Sequence, residues 1–245
     1  MANKIKQTQK EDLENVSGRD LFMTPKYATE LMFPFLDDIF PMSPTNKFNI
    51  WECAAGQMKM SNVLMTKFDV ISTDLSYEKP FNFLTDEPTF KFSCIVTNPP
   101  FSLKKKFFDR CVEFGVPFAL LIPADYSGWI IEAVKNGAEK IIPERRIDYI
   151  TPNILNRIWY GEAWEKFGIN TCTMKEYIEA HTPKEWQRVL NNATEFKFDD
   201  IYNAPAKLLR KYSSSDFHSM WLTNGFGLGQ TETFVELTNE MKDNI

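Results

Sequence analysis

The sequence predicts an α/β protein with a mostly parallel, doubly wound sheet of the Rossmann-like type. Its 245 residues are 43% hydrophobic and 25% charged, which suits one large domain and excludes a disordered chain. Short β-branched runs alternate with helical patterns between residues 47 and 152. Residues 117–123 (PFALLIP) form a nearly continuous apolar run, which is typical of a parallel strand buried on both faces.

Composition also limits the class of protein. No apolar run is long enough to span a membrane and the polar N-terminus has no signal-peptide core, so we expect a cytoplasmic protein without membrane contacts. The two histidines and four scattered cysteines form no ligand motif, so we expect no metal. Because the net charge is −5, any basic face for nucleic acid must be local. Composition does not predict the oligomeric state.

The N-terminal part begins with a predicted arm and continues into a helix. Residues 1–20 are polar and lack apolar periodicity, which predicts a flexible arm. A helix is expected next, because Thr24 is a good N-cap and Pro25 suits the first helical position. Pro34 is expected to kink or end this helix.

Two strands are predicted in the region that follows. The first covers residues 47–52 (KFNIWE), ends at Glu52 and leads through a small-residue turn into a helix. The second covers residues 68–73 (FDVIST) and is closed by Asp74. An acidic residue at the end of this strand is where nucleotide-binding sheets hold ribose hydroxyls, although capping of the next segment would also explain it.

The most informative stretch is residues 91–101 (KFSCIVTNPPF). Its run from Ser93 to Thr97 predicts a buried strand, and the two prolines that follow lack the N–H groups that a central strand needs. Asn98 should lie at the carboxyl end of this strand, because a residue before proline takes extended geometry. Ligands bind at that edge of open α/β sheets. Phe101 follows in a loop, where folding back onto the core is the structural alternative to a functional role.

The rest of the core is predicted to contain two helices and three strands. Helices are expected at 103–114 and 130–137, on either side of residues 117–123, which we count as the fifth parallel strand. Residues 139–152 and 217–226 have strand character and are expected to pair as antiparallel final strands.

These elements divide the chain into a core and an insertion. The core covers residues 21–152, and residues 216–245 add its final strand and a tail that we expect to fray after Leu237. Residues 153–215 are too long for a hairpin turn and rich in aromatic residues, which predicts an inserted helical region.

Asn98, Pro99, Pro100 and Phe101 together resemble the catalytic NPP[FYW] motif of amino-group methyltransferases that use S-adenosylmethionine, most often on adenine N6. The resemblance implies that the Asn98 side-chain oxygen and the Pro99 carbonyl each accept one N–H of the target amine, so that its lone pair points at the methyl group. Phe101 would stack on the base. An aspartate at position 98 would keep an acceptor there, and partial activity is expected of it.

Three further elements resemble the same family in chain order. Phe22-Met23-Thr24-Pro25 is similar to its F-x-T-P element, which lies over the methionine end of the cofactor. The turn after the first strand resembles its [DE]-x-x-x-G-x-G loop, in which the acid holds the cofactor ammonium and small residues admit the backbone; Met58 stands where the second glycine is usual. Phe83 resembles an element beside the cofactor adenine. The implied cofactor-binding residues are Phe22, Thr24, Glu52, Ala54, Gly56, Asp74, Phe83 and Asn98.

The motif order and the small, Phe- and Asn-rich chain are similar to phage-borne DNA adenine-N6 methyltransferases. That resemblance implies an enzyme of a bacterial or phage-infected cell that flips adenine out of DNA. The basic residues expected to contact DNA are Lys104, Lys105, Lys207, Arg210 and Lys211. Methylation of adenine N6 in RNA or of glutamine N5 in protein remains an alternative, because each substrate presents a delocalised amine. A catalytically degenerate binding or scaffold protein is the third hypothesis.

Overall fold

The computed structural model describes residues 22–40, 48–149 and 217–242. The predicted arm (1–20) and insertion (153–215) lie outside these residues. The strands are β1 (Asn49–Glu52), β2 (Asp69–Ser72), β3 (Cys94–Thr97), β4 (Phe118–Pro123), β5 (Glu139–Pro143), β6 (Ser219–Asn224) and β7 (Glu232–Val235). The helices are α1 (Lys26–Glu30), α2 (Phe33–Ile39), α3 (Lys59–Leu64), α4 (Lys104–Phe114), α5 (Gly128–Lys135) and α6 (Asn239–Lys242). In this described part of the chain, no helix is long and apolar enough to cross a membrane.

The seven strands form one sheet in the order β2-β1-β3-β4-β6-β5-β7. β1 pairs in parallel with β2 and β3, and β3 pairs in parallel with β4, so the carboxyl ends of these four strands meet at one edge. β6 runs antiparallel between β4 and β5, and β7 is parallel to β5. This arrangement confirms the predicted fold class, a Rossmann-like, mostly parallel sheet with an antiparallel strand near its end.

Apolar side chains cover the sheet on both faces. One cluster joins α1, α2 and α3 to the sheet through buried residues such as Tyr27, Leu36 and Leu64. A second cluster joins α4 and α5 to the opposite face through Phe107 and Ile130. β3 is buried along its whole length, as its β-branched sequence predicts, and Asn98 follows directly at its carboxyl end.

Two strand predictions need correction. The strand at residues 117–123 is the fourth rather than the fifth, because residues 73–93, all of which the structure describes, contain no strand. The strand predicted at 139–152 ends at Pro143. Pro143 is the last residue paired with β7, and the charged residues Arg145 and Arg146 that follow are exposed.

The first predicted helix is two helices. Thr24 is not an N-cap: α1 begins at Lys26, its capping position is Pro25, and Thr24 is buried, with 4% exposure. Pro34 lies in the first turn of α2, where its missing N–H has no intrahelical partner to lose. The proline therefore starts a second helix after a turn instead of ending the first.

The described part of the tail, residues 238–242, contains a helix, contrary to the prediction of fraying after Leu237. It forms α6, and the Lys242 ammonium lies 2.8 Å from an Asp148 carboxylate oxygen, with side chains only 8% and 7% exposed. The Asp148 backbone N–H donates to the Tyr27 hydroxyl at 2.7 Å. A lone lysine in a polar segment has no sequence pattern that distinguishes a buried partner from a solvated one.

We expect Lys242→Ala to destabilise the protein by about 3–5 kcal/mol, because it leaves the Asp148 carboxylate buried without a counter-ion. Lys26→Ala is the control, since it removes an exposed i,i+4 pair with Glu30 at 3.5 Å and should cost about 0.5 kcal/mol or less. Urea-induced unfolding measures both changes. Equal losses in the two variants would show that the buried pair does not hold the tail.

Candidate active site

A cavity of about 400 Å³ opens where the carboxyl ends of β1, β2 and β3 meet. The segment 22–24 closes another side of it. All eight residues implied to bind the cofactor line this cavity: Phe22, Thr24, Glu52, Ala54, Gly56, Asp74, Phe83 and Asn98. Of the other motif residues, Pro100 is in the wall, whereas Pro99 and Phe101 are not. The volume is that of a small-molecule site.

The turn between β1 and α3 retains the backbone of a glycine-rich loop at the position of Met58. Met58 has φ 59° and ψ 20°, and within the described residues it is the single non-glycine residue with positive φ. A side chain in this left-handed region costs about 1–2 kcal/mol. Met58 does not line the cavity, so its side chain strains the loop without filling the site.

Asp74 closes this turn from the neighbouring strand. Its Oδ2 accepts the Gly56 backbone N–H at 2.8 Å, and its Oδ1 accepts the backbone N–H and the hydroxyl of Ser76 at 2.8 and 2.6 Å. The local capping role is therefore present. The Asp74 side chain is also only partly buried and lines the cavity. The contact of Asp74 with a ribose stays a prediction.

Glu52 is a buried carboxyl at the end of β1, with 2% exposure. Burial raises its pKa to about 8, against the opposing effect of the hydrogen bond from Ser61 and with a further increase from the charge of Asp74. Ser61, on α3, donates to Glu52 Oε2 and lies 2.6 Å from the Ser72 hydroxyl. At neutral pH the Glu52 carboxyl is therefore largely protonated while the cavity holds no cation.

Asn98 follows β3, and the two polar atoms of its side chain differ in their hydrogen bonding. Its Nδ2 donates to the main-chain oxygen of Phe22 at 2.7 Å. Its Oδ1 is buried and has no hydrogen-bond partner among the described residues. Buried acceptors are nearly always satisfied, so this unpartnered oxygen is unusual, and it belongs to a residue that lines the cavity.

The Phe101 ring belongs to an aromatic cluster. It stacks on Phe22, with centroids 4.7 Å apart and planes at 28°, and meets Tyr149 and Phe217 edge-on at 5.8 and 5.4 Å. The Phe101 ring therefore folds back onto the core, which is the structural alternative to a functional role. A base could stack on the face that Phe22 covers only after Phe22 has moved.

Two of the three described lysines beside the motif, Lys104 and Lys105, already have carboxylate partners. Lys104 pairs with Asp125, beyond β4, and Lys105 pairs with Asp109 at 2.6 Å. Although burial raises the pKa of Asp125, hydrogen bonds from Lys104 and Ser127 outweigh it and lower that pKa. The other predicted DNA contacts, Lys207, Arg210 and Lys211, lie outside the described residues. Within the described ranges, no His, Cys, Asp or Glu residues are grouped to hold a metal ion.

Sequence reasoning missed much of the apolar wall, which includes Phe81, Leu103 and Phe107. Phe83 stacks on Phe107 with centroids 4.8 Å apart, so one ring from a loop and one from α4 form this wall together. The helical spacing of Phe107 correctly places it on the buried face of α4. A ring facing a cavity has the same periodicity as a ring facing the core, so the pattern alone does not separate them.

Met58→Gly should raise the free energy of unfolding by about 1 kcal/mol, because glycine adopts positive φ without a Cβ clash. Met65→Gly is the matched control: Met65 is 45% exposed with φ −62°, so glycine there should destabilise the protein. Chemical denaturation of both variants decides the point. A destabilised Met58→Gly protein would show that the side chain, not the backbone, sets the loop.

Glu52 should make the ligand-free protein less stable as pH rises. A carboxyl with a raised folded-state pKa contributes fully below its unfolded value of 4.5, and that contribution is lost as pH rises to about 8. Glu52→Gln should remove this slope, whereas Glu132→Gln, exposed on α5, should keep it. Unfolding free energies measured across this pH range test the prediction, and an unchanged slope in Glu52→Gln would contradict it.

Comparison with known proteins adds little to this geometry. No family model matches the chain, and no curated protein matches its sequence. Among solved structures, the chain is similar to a geranyl diphosphate methyltransferase in complex with SAM, with 12% identity, a TM-score of 0.33, and coverage of 80% of this chain and 84% of that one. At this identity and TM-score the likeness carries no argument about activity, and the fold class rests on the strand order of the sheet itself.

Proposed function

We propose that this protein is an S-adenosylmethionine-dependent methyltransferase that acts on N6 of adenine in DNA after base flipping. The observation that supports it most is the position of Asn98. Asn98 lines the same cavity that Glu52 and Asp74 line at the ends of two neighbouring strands. Its Oδ1 is buried and has no hydrogen-bond partner among the described residues. Such an acceptor suits an incoming N–H donor, which an exocyclic amine supplies.

The cavity fits the proposed cofactor in size and polarity. Glu52 would hold the cofactor ammonium, which favours the ionised carboxylate that burial otherwise disfavours. Asp74 would receive ribose hydroxyls, and the Phe83 ring supplies an apolar surface for the adenine. When bound, S-adenosylmethionine supplies a methyl group on a positively charged sulfur.

The chain's own contribution is placement of the amine. An exocyclic adenine nitrogen is a poor nucleophile because its lone pair is delocalised into the ring. Asn98 Oδ1 and the Pro99 carbonyl would each accept one N–H, which favours a pyramidal nitrogen with its lone pair directed at the methyl group. This mechanism requires positioning and electrostatics, with no covalent intermediate and no strong base.

The choice of DNA over other substrates rests on the resemblance of the ordered motifs. Two observations count against a simple DNA-binding surface: Phe22 covers one face of Phe101, and the described lysines Lys104 and Lys105 are paired with carboxylates. RNA adenine and protein glutamine therefore belong in the same assay, because each presents a delocalised amine to Asn98.

We expect transfer of a labelled methyl group from S-adenosylmethionine to DNA, with much less transfer to RNA or protein. Asn98→Ala should reduce the rate by about 10²–10³, the usual cost of losing a transition-state hydrogen bond. Cofactor affinity, measured by calorimetry, should change far less than the rate, because Asn98 is one of many residues that line the cavity.

Asn49→Ala is the matched control, since Asn49 makes an exposed amide contact to the Lys91 carbonyl at 3.2 Å and is not in the cavity wall. Transfer to RNA or glutamine alone would replace the proposed substrate but keep the reaction. Cofactor binding without transfer to any of the three would favour the degenerate scaffold.

A further inference from the structure

The Asn98 carboxamide has one orientation that the protein itself determines. The main-chain oxygen of Phe22 can only accept a hydrogen bond, so the atom 2.7 Å from it must be the donor Nδ2. The acceptor Oδ1 then occupies the other position, buried and without a partner in the described part of the chain. We propose that Phe22 is the positioning residue of Asn98, and that its carbonyl presents the acceptor rather than the donor to the substrate amine.

The Phe22 carbonyl is held in place by its own side chain. The ring stacks on Phe101 at 4.7 Å and meets Tyr149 and Phe217 edge-on at 5.6 Å each. These rings come from three separate segments of the chain. A carbonyl anchored by this cluster cannot easily rotate away from position 98.

An ionised aspartate at position 98 would have no donor to offer the Phe22 carbonyl. A carboxylate has only acceptors, so one of its oxygens would face the Phe22 oxygen at the place where Nδ2 now donates. Because two acceptors in contact repel each other, the ionised form of the aspartate is disfavoured relative to the protonated form. A protonated carboxyl restores the pattern, because its O–H donates to Phe22 and its other oxygen remains an acceptor.

The expectation from sequence alone, that aspartate keeps partial activity, therefore applies only to the protonated form. The ionisable residues lining the same cavity are Glu52, Lys59 and Asp74, and on the β4 side Lys104 is already paired with Asp125. Of these cavity residues, Asp74 adds to the penalty on a new carboxylate and Lys59 opposes it, whereas Glu52 is largely protonated below pH 8. The pKa of the Asn98→Asp carboxyl should therefore lie well above the ordinary aspartate value of about 3.9.

The first test is independent of activity. Carbon-13 NMR of the full-length Asn98→Asp protein reports the pKa of the new carboxyl, which should be raised. Asn49→Asp is the matched control, because the same amide-to-carbonyl contact is exposed there, at 3.2 Å from Lys91. An ordinary pKa at position 98, equal to that at position 49, would overturn the proposal.

The second test rests on the proposed function and uses the methyl-transfer rate of Asn98→Asp relative to the wild type. This ratio should rise about tenfold per pH unit as pH falls towards the pKa of the new carboxyl, because only the protonated form is active. Titration of Glu52 affects both proteins and cancels in the ratio. Asn98→Ala should show no recovery in acid. A ratio that does not vary with pH would overturn the proposal, whereas a wild type without any transfer would refute the proposed function and leave the NMR test valid.

A third variant covers the case in which Asn98→Asp does not fold. Phe22→Ala and Phe217→Ala each remove one ring from the same aromatic cluster, but only Phe22 supplies the carbonyl that Asn98 contacts. Phe22→Ala should lower kcat at least tenfold more than Phe217→Ala does. Equal kcat values would show that Phe22 serves packing alone.

Discussion

The hydrogen bond from Asn98 to the Phe22 carbonyl connects two of the four segments of the chain that line the cavity. Asn98 stands at the end of the most deeply buried strand, and Phe22 belongs to a segment that precedes the first helix. That contact ties the segment 22–24 to the sheet edge through a polar group, and the ring contacts of Phe22 hold the same segment through apolar ones. A single amide thus orients the proposed catalytic group and helps to close one side of the cavity.

The polar groups of the cavity are restrained by one another before any ligand arrives. Asp74 holds the Gly56 turn, and Ser61 bridges the Glu52 carboxyl and the Ser72 hydroxyl. A site restrained in this way loses little conformational entropy on binding. The same contacts keep Glu52 buried near Asp74, so a cationic ligand would favour the ionised form of Glu52 that burial and the charge of Asp74 disfavour.

The sequence predicts best those structural features that are determined by residues close together in the chain. β3 and the position of Asn98 follow from neighbouring residues, since the prolines stop the strand wherever the rest of the chain lies. The buried role of Lys242 and the contact of Asn98 with a main-chain carbonyl depend on residues far away in sequence. A carbonyl is present at every residue, so no sequence pattern marks the one at Phe22 as special. The end of β5 at Pro143 likewise depends on the register with β7.

The antiparallel β6 enters the sheet between β4 and β5 although it follows β5 by a long stretch of chain. β6 pairs with β4 at six positions and with β5 at three, so the strands before and after residues 150–216 are held in one sheet. The entropy of closing a flexible connection grows only with the logarithm of its length, so doubling the length costs about 0.6 kcal/mol. A change in the number of residues between β5 and β6 would therefore cost the sheet little. It would also leave the cavity unaltered, because the described residues that line the cavity belong to other segments of the chain.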